Sequence, residues 1–117
     1  MKFSVVILRQ AEQDFQSIYQ YVSERSKRGA GRWVETFSDA LARLETDAMS
    51  YGLAPESSGR KLSVRQMLFK TRSGNPYRVL YSILDETVYI RTIRGLGQEF
   101  AELDDIELPP AVDTNLD

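Results

Sequence analysis

PYRVLYSILDETVYIRTIRGLGQEF, Pro76 to Phe100, is the stretch whose reading decides the fold. Two runs rich in β-branched and aromatic residues flank Asp85 and Glu86, and Gly95 and Gly97 follow as a stop. Such runs read as two strands joined by a tight hairpin. In the first, Tyr77, Val79, Tyr81 and Ile83 fall on one face and Arg78, Leu80, Ser82 and Leu84 on the other. Leu80 and Leu84 make the second face partly apolar, which predicts a central strand rather than one with a wet face. The partner run, Thr87 to Ile93, begins after a turn whose type stays open, because the glycine that hairpin turns favour is missing. GLG at 95 to 97 follows a strand with no convincing helix behind it, so it reads as a sharp exit from the sheet and only weakly as a phosphate loop.

Upstream, VRQMLFKT (Val64 to Thr71) is a third strand candidate, and PESSGRKLS (55 to 63) is the one obvious internal loop. FSVVIL (Phe3 to Leu8) reads as a mostly buried strand at the start of the chain. From Ala11 the apolar period lengthens: Ala11, Phe15, Ile18, Tyr19 and Val22 lie at steps of 4, 3, 1 and 3, one face of a helix. After the short link SKRG, Ser26 to Gly29, a second stripe runs through Ala30, Trp33, Val34, Phe37, Leu41, Leu44 and Ala48. Two helices so closely linked are antiparallel neighbours. The order strand, two helices, three strands predicts an α+β fold, an antiparallel sheet with a helical hairpin on one face. Trp33, Phe37, Phe15 and Tyr19 are expected to be buried against that sheet.

At 117 residues the chain is the size of one domain with one core. Residues 1–98 carry 15 Lys and Arg against 10 Asp and Glu, a net +5, whereas 99–117 carry none against 7, a net −7. The division predicts one domain over 1–98 and an acidic tail over 99–117. Arg60, Lys61, Arg65, Lys70, Arg72 and Arg78 fall in 19 positions without an acid, a density suited to an acidic protein partner or nucleic acid, or simply to a solvated strand face. In the tail, Phe100, Leu103, Ile106 and Leu108 are spaced by 3, 3 and 2 before Pro109 and Pro110. That pattern fits a solubilising tail, a segment docked on the protein's own sheet, or a competitor for the basic surface. The apolar run Phe3 to Leu8 is too short for a secretion signal and no run approaches a membrane span, so the cytoplasm is the expected address and a membrane partner is not expected.

Catalytic chemistry is scarce. There is no cysteine and no histidine, hence no thiolate, no sulfur-ligated metal and no imidazole base. Glu12, Asp14, Glu35 and Asp39 read as solvated helix faces rather than an acid-base pair. No residue pattern points to a cofactor or a metal. Any catalysis would rest on arginine and lysine, which orient phosphate well but accept protons poorly near pH 7.

AEQDFQSIYQYVSE in the first helix, the Gly59-Arg60 loop and VRQMLFKTRSGNPYRVLYSILDETVYIRTIR in the sheet, in that order, resemble the ParE/RelE superfamily of small toxins from bacterial type II toxin-antitoxin systems. The resemblance covers Phe3 to about Arg94. It implies a toxin neutralised by a cognate antitoxin, acting either on DNA gyrase by binding, as in ParE-like members, or on messenger RNA at the ribosome, as in RelE-like ones. In the RelE-like case Arg78, the arginine of the family's YR pair, would contact substrate and Lys70 would stand near the family's paired lysines. Arg78 also reads as a structural salt bridge or sheet-edge charge. Where many relatives continue IRH..R this chain has IRGLGQ, with Gly95 at the histidine position and Gln98 at the arginine position, and its last tyrosine is Tyr89. These departures favour the ParE-like branch over an mRNA interferase; a degenerate member that only binds its antitoxin is the third reading. Whether the chain is an enzyme at all stays open. The expected partner surface comprises Arg60, Lys61, Arg65, Arg72, Arg78 and Arg94, with Trp33 as an aromatic anchor.

Overall fold

The computed structural model describes residues 2–59, 61–72 and 74–95. Strand β1 (Ser4–Ile7) leads into helices α1 (Arg9–Arg25) and α2 (Lys27–Asp47), and a connection through residues 48–64 reaches β2 (Arg65–Phe69), β3 (Tyr77–Leu84) and β4 (Thr87–Gly95). The strands form one sheet in the order β1-β4-β3-β2, so the hairpin β3–β4 is central, as its two apolar faces predicted. The pairs β2–β3 and β3–β4 are antiparallel, but β1 lies parallel to β4, Ser4 opposite Thr87 and Ile7 opposite Ile90. The sheet is therefore mixed. A helical crossover carries the chain from β1 to β2 in the same direction, and two successive hairpins return that direction to β4.

The β3–β4 turn is closed by Leu84 opposite Thr87, with Asp85 at φ 56°. Aspartate tolerates this left-handed conformation better than most side chains, so it takes the place of the absent glycine. Farther along, Leu80 faces Thr92 while Tyr81 faces Ile90, leaving Arg91 as the extra residue of a bulge. The bulge inverts the alternation of β4. Val88, Ile90 and Ile93 all join the core beneath the helices, which an uninterrupted period of two would forbid.

The link between the helices is shorter than the expected Ser26–Gly29. Ser26 alone separates them, donating its backbone N–H to Val22 (2.8 Å) and accepting from the N–H of Gly29 on its Oγ (2.9 Å). One residue thus ends α1 and caps α2. A β-carbon on Gly29 would lie 3.1 Å from that Oγ, so the close cap suits a glycine there.

Both helices pack on one face of the sheet, where Phe15, Trp33, Phe37, Phe69 and Tyr77 form a continuous aromatic cluster with ring centroids 5.1 to 6.0 Å apart. Trp33 and Phe37 are buried and Phe15 is half-buried, but Tyr19 is 40% exposed, contrary to expectation. It stacks on Phe15 from outside at 6.4 Å. The fold has two layers, and Ala11, Phe15, Ile18 and Val22 already fill the inward stripe, so Tyr19 at its margin turns toward solvent. Asp14 also departs from its reading as a solvated acid. Beyond Ile7, β4 has no partner on its β1 side, and Asp14 Oδ2 accepts from the N–H of Ile93 (3.0 Å) and the hydroxyl of Thr92. Among the described residues no helix is long and apolar enough to cross a membrane.

Candidate partner-binding face

On the side of the sheet away from the helices, register places Gln66 and Leu68 of β2, Arg78, Leu80 and Ser82 of β3 and Arg94 of β4 together. The loop 51–64 crosses part of this face. It is held by Ala54 N–H to Val64 O (2.8 Å), Gln66 N–H to Gly52 O (3.0 Å) and Val64 N–H to Ser57 Oγ (2.9 Å), and Ala54, Val64 and Leu80 form a small second core beneath it. Gly59, at φ 75°, supplies a left-handed turn that a side chain would strain.

This loop presents Glu56 to Arg78. The Arg78 guanidinium donates to Glu56 Oε2 at 2.7 Å and Oε1 at 3.0 Å, and also to Gln66 Oε1 at 3.0 Å. The side chains are 19% and 1% exposed respectively, so the carboxylate is buried within a bidentate pair. Behind them the bulge residue Arg91, also buried, donates to Ser82 Oγ at 3.3 Å, and Ser82 donates to Ser63 O at 2.8 Å. Arg94 stands directly across from Arg78.

The sequence-derived candidates thus divide. Arg78 and Arg94 share the face. Arg65 belongs to the helix-facing side, half-buried opposite Tyr81, and its guanidinium donates to Tyr51 O. Lys61 and Arg72 are exposed on loops and Lys70 is exposed just past β2. Arg60, Gln98 and the tail 99–117 lie outside the described residues, as do Leu96 and Gly97 of the expected exit, while Gly95 still pairs with Tyr77. Trp33 lies in the aromatic core, its indole Nε1 buried without a hydrogen-bond partner. Its ring is a packing element rather than an open anchor.

Sequence reasoning missed Glu56, Gln66, Ser82 and Arg91. Glu56 had a usable signal: it is the only acid between Asp47 and Asp85, in a stretch otherwise charged by cations. A lone carboxylate in such a field is drawn to an arginine. Arg91 had none, since the bulge that directs it arises from strand pairing. Among the described residues no group of His, Cys, Asp or Glu could hold a metal ion.

An open cleft of about 550 Å³ lies beside the outer edge of β2, lined by Thr36, Asp39, Arg43, Leu68, Lys70 and Pro76 among others. It joins α2 to the exposed side chain of Leu68.

The model of the ParE toxin of the parDE type II toxin-antitoxin system matches residues 5–99. The chain belongs to the ParE toxin family. A solved structure of the chromosomal ParDE system from P. aeruginosa contains a chain with the same fold, at TM-score 0.62 and 18% identity over 80% of this chain and 96% of that one. No curated protein matches significantly. Membership makes this ParE-family chain the toxin component of a ParDE-type system, and the helical hairpin on a mixed sheet is the fold that it shares with its structural relative.

Proposed function

We propose that this ParE-family toxin inhibits DNA gyrase by binding it, and that a cognate antitoxin holds it inactive. The observation that carries this reading is the state of Arg78. The arginine that an RNA-cleaving relative would turn toward substrate is engaged on both of its terminal nitrogens by a buried carboxylate, and Gln66 takes a further bond. A guanidinium held in this way stiffens a surface instead of following a phosphate through a reaction. The reading of Arg78 as a structural salt bridge is thereby supported, and the face it braces is suited to protein recognition. Lys61, Lys70, Arg72 and Arg94 would supply charge complementary to an acidic antitoxin segment, raising the association rate more than the final affinity.

Pulse labelling after expression from a tightly controlled promoter tests the target. Thymidine incorporation is expected to fall before methionine incorporation, with induction of the DNA damage response, and co-expression of the antitoxin encoded beside the toxin should prevent both. Methionine loss first, with cleavage of messages at the ribosomal A site, would overturn the gyrase reading in favour of an mRNA interferase. No loss of either would leave a degenerate member that only binds its antitoxin.

A further inference from the structure

The family match ends at residue 99, yet 18 residues follow, with six acids and no cation. The P. aeruginosa relative uses 96% of its length on the shared fold, so that fold does not require such an extension. We propose that residues 100–117 dock in cis on the arginine-bearing face of the sheet, across Leu68, Arg78 and Arg94, where an acidic partner must displace them.

Three features of the face point to this occupant. The first is position. β4 ends at Gly95, one residue beyond Arg94; Arg94 lies opposite Arg78, and Arg78 lies opposite Leu68. The row thus crosses three strands at the end where the chain leaves the sheet, a span of about 10 Å at about 4.8 Å per strand, which a few extended residues cover. The second is charge. Like charges directly opposed across strands are unfavourable, and Arg78 opposite Arg94 is such a pair. Arg78, Arg91 and Arg94 against Glu56 leave this face at net +2 among the described residues, so one carboxylate does not balance it. The third is apolar surface. Leu68 is 61% exposed beside this row, and Phe100, Leu103, Ile106 and Leu108 offer apolar side chains between the acids. A covalent tether this short gives an effective concentration on the order of millimolar, so even weak complementarity keeps the segment in place. The consequence is a toxin whose partner face is screened by its own chain, independently of whether gyrase is the target.

Since the chain has no cysteine, Ala111→Cys gives a single site for a nitroxide spin label in the full-length protein. Backbone amide signals of Leu68, Arg78 and Arg94 should be broadened by the label at low salt, while those of Gln16 and Gln20 on the outer side of α1 retain their intensity. The broadening should be lost in the D104N/D105N/E107Q variant and should fade toward about 1 M salt, where the screening length falls to about 3 Å. Full intensity at Leu68 and Arg78 in the labelled protein would overturn the proposal, as would equal broadening of α1 or broadening indifferent to the neutralised acids. A mixture of labelled protein with isotope-enriched protein lacking the cysteine separates the remaining case. Broadening of the enriched copy would show contact between molecules and sink docking in cis.

Discussion

Arg78 illustrates how one side chain can belong to two accounts at once. As a member of the family's YR pair it reads as a contact residue, yet its geometry makes it the partner of Glu56. Removing one member of a buried pair costs more than removing both, because the remaining charge has left water without its counter-ion. Arg78→Met should therefore destabilise the fold by about 3–5 kcal/mol, and a double variant with Glu56→Met should recover much of that loss. Urea denaturation of both single variants and the double variant would measure the coupling; strictly additive effects would mean that the pair contributes no specific stability. Arg78→Lys should fall short of the parent, since an ammonium cannot reproduce the two-pronged contact with both Glu56 oxygens.

At the scale of elements, each helix is tied to the sheet by a different kind of contact. α2 does it by apolar packing: Phe37 lies between Phe15, Trp33 and Phe69, so Phe37→Ala should cost about 3–5 kcal/mol, read as a lowered thermal midpoint. A variant that melts with the parent would contradict this placement. α1, whose only wholly buried residue is Ala11, relies in part on a polar contact, Asp14 with the edge of β4. Asp14→Ala leaves the Ile93 N–H and the Thr92 hydroxyl without that acceptor and should cost about 1–3 kcal/mol, with Asp14→Asn milder because one carbonyl oxygen remains. Hydrogen exchange localises the effect. The Ile93 amide should lose protection in Asp14→Ala before the β3–β4 hairpin as a whole does; unchanged protection at Ile93 would dismiss the edge-sealing role.

For the whole molecule the pH profile of stability is set partly by buried phenols. Burial pushes Tyr81 well above its ordinary value of 10.0, with Arg65 opposing and Tyr51 adding, while its hydroxyl donates to Ala48 O at 2.7 Å. Tyr77 is raised as well, by burial first and then by Tyr21. Below pH 10 folded and unfolded chains both keep these protons, and the contribution is fully present. Above it the unfolded chain releases them first, binds fewer protons than the folded one, and stability falls as pH rises. Tyr81→Phe should lower neutral-pH stability by about 0.5–1.5 kcal/mol through the lost hydrogen bond, yet flatten the alkaline decline. Urea midpoints from pH 8 upward would show it, and an unchanged alkaline slope would contradict the role given to Tyr81.

What the sequence determined by itself is local and periodic. The 3,4 spacing of Phe15, Trp33 and Phe37, and the alternation of Val79 and Tyr81 about Asp85 and Glu86, specify which face of each element is apolar, and burial then follows because those faces must leave water. The arginine-rich surface was legible as charge, and Arg78 was identifiable from its place beside Tyr77. Only the tertiary structure decided that β1 runs parallel to β4, that a bulge turns Arg91 toward Ser82, and that Asp14 and Glu56 are partners rather than solvated acids. Each of these depends on residues from 9 to 79 positions apart meeting through strand register and helix docking. Periodicity reports which way a side chain points from its own element; pairing between distant elements decides what it meets.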